Sequence, residues 1–177
     1  MRKALYFLGI LNDSDIDWLI GAGHRREIAA GGAIIHEGRP LDSVYLVIDG
    51  AFSVRVQARA NDEIARLMSG EVMGEMSFVD LAPPSATVQA IEPSFVLEIP
   101  RRRLNAKIAE DTGFAARFYR ALSMFLASRL RANNAAQPGS VAGRPDDAGD
   151  EMNFDALDNV SMAGARFDWI QRRLRSA

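Results

Sequence analysis

The chain predicts an α+β fold: an antiparallel β jelly roll or barrel, flanked by N-terminal helices and followed by a long C-terminal helix. Three observations predict it. Short runs rich in β-branched and aromatic residues fill the stretch from Glu27 to Ile99, turn residues punctuate those runs, and segments of helical period lie on either side. At 177 residues, 48% of them apolar and 25% charged, the chain has material for one ordinary domain with a core, plus an appendage.

Leu8, Leu11, Ile16, Leu19 and Ile20 recur at roughly helical spacing, so residues 5–22 are expected to be helical. Asn12-Asp13-Ser14-Asp15 supplies capping chemistry for a second helix inside that stretch. From Glu27 the period becomes that of strands: Ile28, Ala33-Ile34-Ile35, Val44 to Ile48, Ala51 to Gln57, Glu63 to Leu67, Ser85 to Ala90 and Ser94 to Ile99. Gly31-Gly32, Glu37-Gly38-Arg39-Pro40 and Asp49-Gly50 separate the first of these, and Asp49-Gly50 between two apolar runs predicts a β-hairpin. Arg102 to Ile108 reads as a short helix. Phe114, Phe118, Leu122, Phe125, Leu126 and Leu130 line one face of a longer helix ending near Ala132, with Arg117, Arg120 and Arg131 on its polar face.

Between Asn133 and Gly149 the composition shifts to Asn, Ala, Pro, Gly, Ser and Asp, which is that of a linker. Apolar residues return at Phe154, Leu157, Phe167, Trp169, Ile170 and Leu174. Acids lie ahead of or early in this segment, and Arg166, Arg172, Arg173 and Arg175 at its end, an order that suits a helix macrodipole. The expected organisation is a domain over 1–132, a linker over 133–150 and an amphipathic helix over 151–177.

Composition narrows the function. There is no cysteine and only two histidines, His24 and His36, so disulfides, thiolate metal sites, cysteine nucleophiles and histidine-rich metal sites are not expected. A net charge of -2 gives no bulk attraction to nucleic acid or membrane. The N-terminal apolar run is short and is followed by acids, and no run approaches the roughly 18 apolar residues of a membrane span, so a cytoplasmic location is expected. No nucleophile, base and orienting group can be assembled; the nearest approach pairs Glu75 with His36. The chain is read as non-enzymatic, with no metal and no cofactor. Arg101-Arg102-Arg103 follows Pro100 at a helix start and reads as a solvated face.

The chemistry-bearing segment is Gly74-Glu75-Met76-Ser77, followed by Pro83-Pro84-Ser85-Ala86-Thr87-Val88. With the glycine turns before it and the long helix after it, this order resembles the cyclic-nucleotide-binding domain family over residues 5–132. The resemblance implies a phosphate-binding cassette formed by Gly74, Glu75, Met76, Ser77, Pro84, Ser85, Ala86 and Thr87. Gly74 would let the backbone approach the ligand, and Glu75 would accept a hydrogen bond from the ribose 2′-hydroxyl. Ser85, Ala86 and Thr87 would offer backbone N–H groups, and Ser85 a hydroxyl.

The family usually places an arginine where this chain has Pro84, which has neither charge nor N–H. Losing one charge-assisted bond of about 1.5–3 kcal/mol weakens binding about ten- to a hundred-fold unless another cation, for instance Arg39, Arg55 or Arg66, replaces it. The resemblance therefore implies a regulatory sensor for cAMP or cGMP that signals through protein contacts. The alternative is a ligand-free scaffold in which Phe154–Leu174 docks to a partner protein. The stripe from Phe114 to Leu130 either packs on the barrel or pairs two subunits, and a homodimer is the expectation. Residues 133–177 are too few and too linker-like for the winged helix-turn-helix of DNA-binding relatives, so no direct DNA contact is expected.

Overall fold

The computed structural model describes residues 7–60, 62–135 and 154–175. Residues 7–10 are helical and lead to α1 (Asp13–Ala22). The Asn12 side chain accepts from the Asp15 N–H and the Asp15 carboxylate accepts from the Asn12 N–H, a reciprocal cap that fixes where α1 starts. Eight strands follow: β1 (His24–Ile28), β2 (Ala33–Ile35), β3 (Ser43–Asp49), β4 (Ala51–Arg55), β5 (Glu63–Met68), β6 (Val72–Met73), β7 (Thr87–Ala90) and β8 (Ser94–Pro100). The helix α2 (Glu75–Asp80) interrupts them between β6 and β7. After β8 come α3 (Arg101–Glu110), α4 (Thr112–Ala135) and α5 (Phe154–Arg175).

The strands form two antiparallel four-stranded sheets, β1-β8-β3-β6 and β2-β7-β4-β5, the arrangement of a jelly roll. The central strands β3 and β8 of the first sheet are buried on both faces. Val44, Leu46 and Ile48 of β3 and Leu97 and Ile99 of β8 meet the helices, while Tyr45, Val47 and Val96 face the second sheet. For that reason β3 reads in sequence as an unbroken apolar run rather than an alternation.

Asp49-Gly50 does not close a hairpin. β3 pairs with β8 and β6, and β4 with β5 and β7, so this turn carries the chain from one sheet to the other. Gly50 sits at φ +93°, and a Cβ there would stand 2.0 Å from the Ser94 hydroxyl oxygen. The glycine thus serves a corner packed against the start of β8, and the apolar periodicity on either side cannot distinguish that corner from a hairpin. β6 is too short to stand out in the sequence, and β1 begins at His24, among exposed charged residues.

The aromatic stripe of α4 is spent within the chain. Phe114, Phe118, Leu122 and Phe125 are buried: Phe118 meets Phe7, Phe114 and Phe78 edge-on or stacked, and Phe114 meets Trp18. Those four residues are taken up within the chain, while Leu130 of the same stripe stays exposed together with Tyr119 and Met124. Arg117 is likewise not a solvated cation but grips buried Asp15 through two bonds of 2.6 and 2.9 Å, tying α4 to α1.

α5 also docks on its own chain, with Ala163, Ile170 and Leu174 buried in the helical core. These three residues of the Phe154–Leu174 segment are thus covered within the chain. Most of the linker expected over 133–150, and residues 5 and 6 of the helical lead-in, lie outside the described residues.

Candidate functional site

Gly74 opens α2 at φ +81°. A Cβ there would come within 2.7 Å of Leu41 and 3.1 Å of the Ser43 carbonyl oxygen, so both the backbone angle and the space require glycine. The turn this permits drives Glu75 inward, where it is 3% exposed. Ser77 and Phe78 follow it into the interior, while Met76 and Val79 face solvent. α2 has only six residues.

On the other limb Pro84 is buried, Ser85 exposed, and Ala86 and Thr87 half-buried. This limb is tied to the 36–39 turn: the Gly38 N–H donates to the Pro84 carbonyl at 2.8 Å, and the Glu37 N–H to the Thr87 hydroxyl at 3.1 Å. The Glu37 carboxylate in turn accepts from the Gln57 N–H.

Glu75 has a partner that the sequence reading missed. Arg129, on α4, donates through Nη1 to the Glu75 Oε1 at 2.6 Å, and its guanidinium lies 5.6 Å from the centre of the Phe125 ring. Burial pushes the Glu75 carboxyl above its usual range, and the neighbouring Arg129 charge opposes that shift. The sequence carries the signal for one half of this pair. Phe118, Leu122, Phe125 and Arg129 fall at i, i+4, i+7 and i+11, so Arg129 is a charge on the buried face of α4 and requires an anion.

The arginines considered as examples of a replacement cation are placed as follows. Arg55 donates to the Ser53 hydroxyl, Arg66 pairs with Glu63, and Arg39 is exposed. His36 is exposed and Glu75 pairs elsewhere, which removes the one catalytic pairing considered. Of the three consecutive arginines, Arg101 lies over the Phe78 ring and Arg103 donates to the carbonyls of Gly21 and Ala22 at the end of α1. Among the described residues no cluster of three or more His, Cys, Asp or Glu is placed to hold a metal, and no helix is long and apolar enough to cross a membrane.

Two four-stranded sheets in jelly-roll order, a glycine-capped cassette helix inserted between β6 and β7, and a long helix reaching back to its glutamate define a cyclic nucleotide-binding fold. Residues 25–111 match the model of the cyclic nucleotide-binding domain and belong to that family. The chain is similar to the crystal structure of a cyclic nucleotide-binding domain from Methylobacillus flagellatus, with a TM-score of 0.70 and 20% identity over 81% of this chain and 85% of that one. It is also similar to the regulatory domain of Toxoplasma gondii PKA crystallised with cAMP, with a TM-score of 0.53 and 22% identity over 59% and 43%. In sequence it is 40% identical over 82 residues to a Pycsar effector protein of Pseudomonas aeruginosa, covering 46% of this chain and 26% of the effector. The chain spans about a quarter of the length of the curated relatives it matches first.

Proposed function

We propose that this chain is a regulatory module that binds a cyclic mononucleotide, cAMP or cGMP, at the cassette and signals through protein contacts made by its helices. The observation that carries this reading is the buried ion pair between Glu75 and Arg129. Nη1 of Arg129 donates to Oε1 of Glu75, and a carboxylate has acceptor capacity beyond one such bond for a ribose hydroxyl. The guanidinium has further N–H groups for a phosphate oxygen. In this reading Arg129 supplies from α4 the positive charge that Pro84 cannot, and Gly74, Ser85, Ala86 and Thr87 supply the backbone cradle. A ligand held by both Glu75 and Arg129 draws α4 onto the cassette, which converts binding into helix position. The family resemblance and the cAMP in the similar Toxoplasma regulatory domain support this ligand class.

Calorimetric titration of the full chain with cAMP and with cGMP tests it. Binding of at least one nucleotide is expected, weakened about ten- to a hundred-fold by Arg129→Ala and strengthened by a similar factor by Pro84→Arg. Absence of heat with either nucleotide at millimolar concentration, in folded protein, overturns the ligand assignment.

A second reading is favoured by the same pair. Arg129 already satisfies Glu75, and no buried side-chain polar atom among the described residues lacks a partner, so the domain is self-consistent as a ligand-free scaffold. In either reading the exposed flank of α4 at Tyr119 and Leu130, beside Met76 and Val79 of α2, is the surface for a protein partner, a second copy of this chain included.

A further inference from the structure

Helix α5 is bound to the domain at three polar points as well as by its apolar face. Arg166, 9% exposed, donates to the Leu8 carbonyl at 3.1 Å, to the Gly9 carbonyl at 3.2 Å and to the Asp13 carboxylate at 2.8 Å. It thereby gathers the end of the 7–10 helix and the start of α1 into one hand. One turn further on, the Gln171 amide donates to the Ile48 carbonyl at 2.9 Å, where β3 prepares to change sheets. Near its end, Arg175 faces Asp49 at 3.7 Å and the Leu174 carbonyl accepts from Arg25.

The segment that α5 holds is also the one that α4 leans on. Leu8 and Gly9 follow Phe7, whose ring meets Phe118 of α4 at 5.8 Å. Phe118 meets Phe78 of the cassette helix at 5.7 Å, and Phe78 lies three residues beyond Glu75. Phe78, Phe118 and Phe7 therefore form one line of ring contacts from the cassette helix to the segment whose next two carbonyls Arg166 holds, and every ring in it is buried. Close-packed rings of this kind do not yield separately, because a shift of α4 leaves a void that its neighbours must follow.

We propose that α5 is an intramolecular clasp whose hold on the 7–10 helix and α1 is set by the Glu75–Arg129 latch. With the latch closed, α4 keeps Phe118 and Phe7 seated, and Arg166 finds its two carbonyls and its carboxylate together. With the latch opened, the 7–10 helix loses its support and α5 is released, uncovering Ile170, Leu174 and the core surface beneath them. The coupling depends on the latch but not on what closes it, so it stands apart from the nucleotide assignment.

The test is hydrogen exchange on the full chain without nucleotide, comparing wild type, Arg129→Gln, Glu75→Gln and Arg166→Ala. Arg166→Ala establishes the reading of a loosened clasp and is expected to speed exchange across residues 162–175 by more than tenfold. Arg129→Gln and Glu75→Gln are expected to speed exchange over the same residues at least three-fold, while β3 and β8 keep wild-type protection. If Arg129→Gln also strips protection from the sheets, Glu75→Gln, which preserves side-chain size, decides alone. Unchanged exchange in 162–175 for the latch variants, alongside a clear response to Arg166→Ala, overturns the clasp. Failure of nucleotide binding leaves it untouched.

Discussion

Two buried carboxylates, Asp15 and Glu75, show how an arginine can have opposite outcomes for an acid. Asp15 is 2% exposed; burial works against its charge, but the hydrogen bonds from Arg117 and from the Asn12 N–H outweigh it and hold the carboxyl below its usual range. For Glu75 burial prevails over Arg129 and the carboxyl is raised. The consequences for stability run in opposite directions with pH. The stability due to the depressed Asp15 is complete above its ordinary value of 3.8 and is lost as pH falls through the lower folded-state value. The raised Glu75 favours the folded state below 4.5, and that contribution is lost as pH rises through the higher folded-state value. Urea unfolding across pH is therefore expected to show Asp15→Asn costing most near neutrality, with the deficit closing under acid. Glu75→Gln is expected to flatten the decline in wild-type stability above pH 4.5. At this scale Gly74, Glu75 and Pro84 were legible because backbone freedom, charge and the absence of an N–H belong to residue type. The spacing of α4 marks Arg129 as a charge on its buried face, but that its anion is Glu75 was not legible, because that depends on where α4 crosses the cassette.

At the scale of elements, periodicity located most strands and both long helices, and it failed where two arrangements share one pattern. Asp49-Gly50 has the sequence of a hairpin turn and performs a change of sheet, since pairing is chosen by the packing of β8 and β4 and not by the turn. Gly50→Ala tests the corner. Its Cβ meets Ser94 at 2.0 Å and its backbone is at φ +93°, so a loss of about 2–3 kcal/mol is expected in denaturant unfolding, well above a turn-only substitution. The stripe of α4 was legible as a buried face, whereas the surface that buries it was not. That surface is supplied by Phe7, Trp18 and Phe78 from three separate segments.

For the whole molecule, the helical core joins α1, the first sheet, α4 and α5 into one cluster, while a second cluster fills the space between the sheets. Because α5 contributes Ala163, Ile170 and Leu174 to the first cluster, its loss is felt by the domain. Ile170→Ala is expected to cost about 2–5 kcal/mol and to lower the midpoint of thermal unfolding in a single transition. A separate early transition confined to α5 would show that the helix is an independent appendage.

The sequence by itself determined the class of fold, through periodicity and turn residues, while the cassette and the absence of its usual cation are what the resemblance to a family implies. Only the tertiary structure decided that Arg129 stands against Glu75, that the aromatic stripe faces inward, and that α5 returns to clasp the N-terminal helices. Each of these is a contact between segments far apart in the chain, set by close packing that no local pattern encodes.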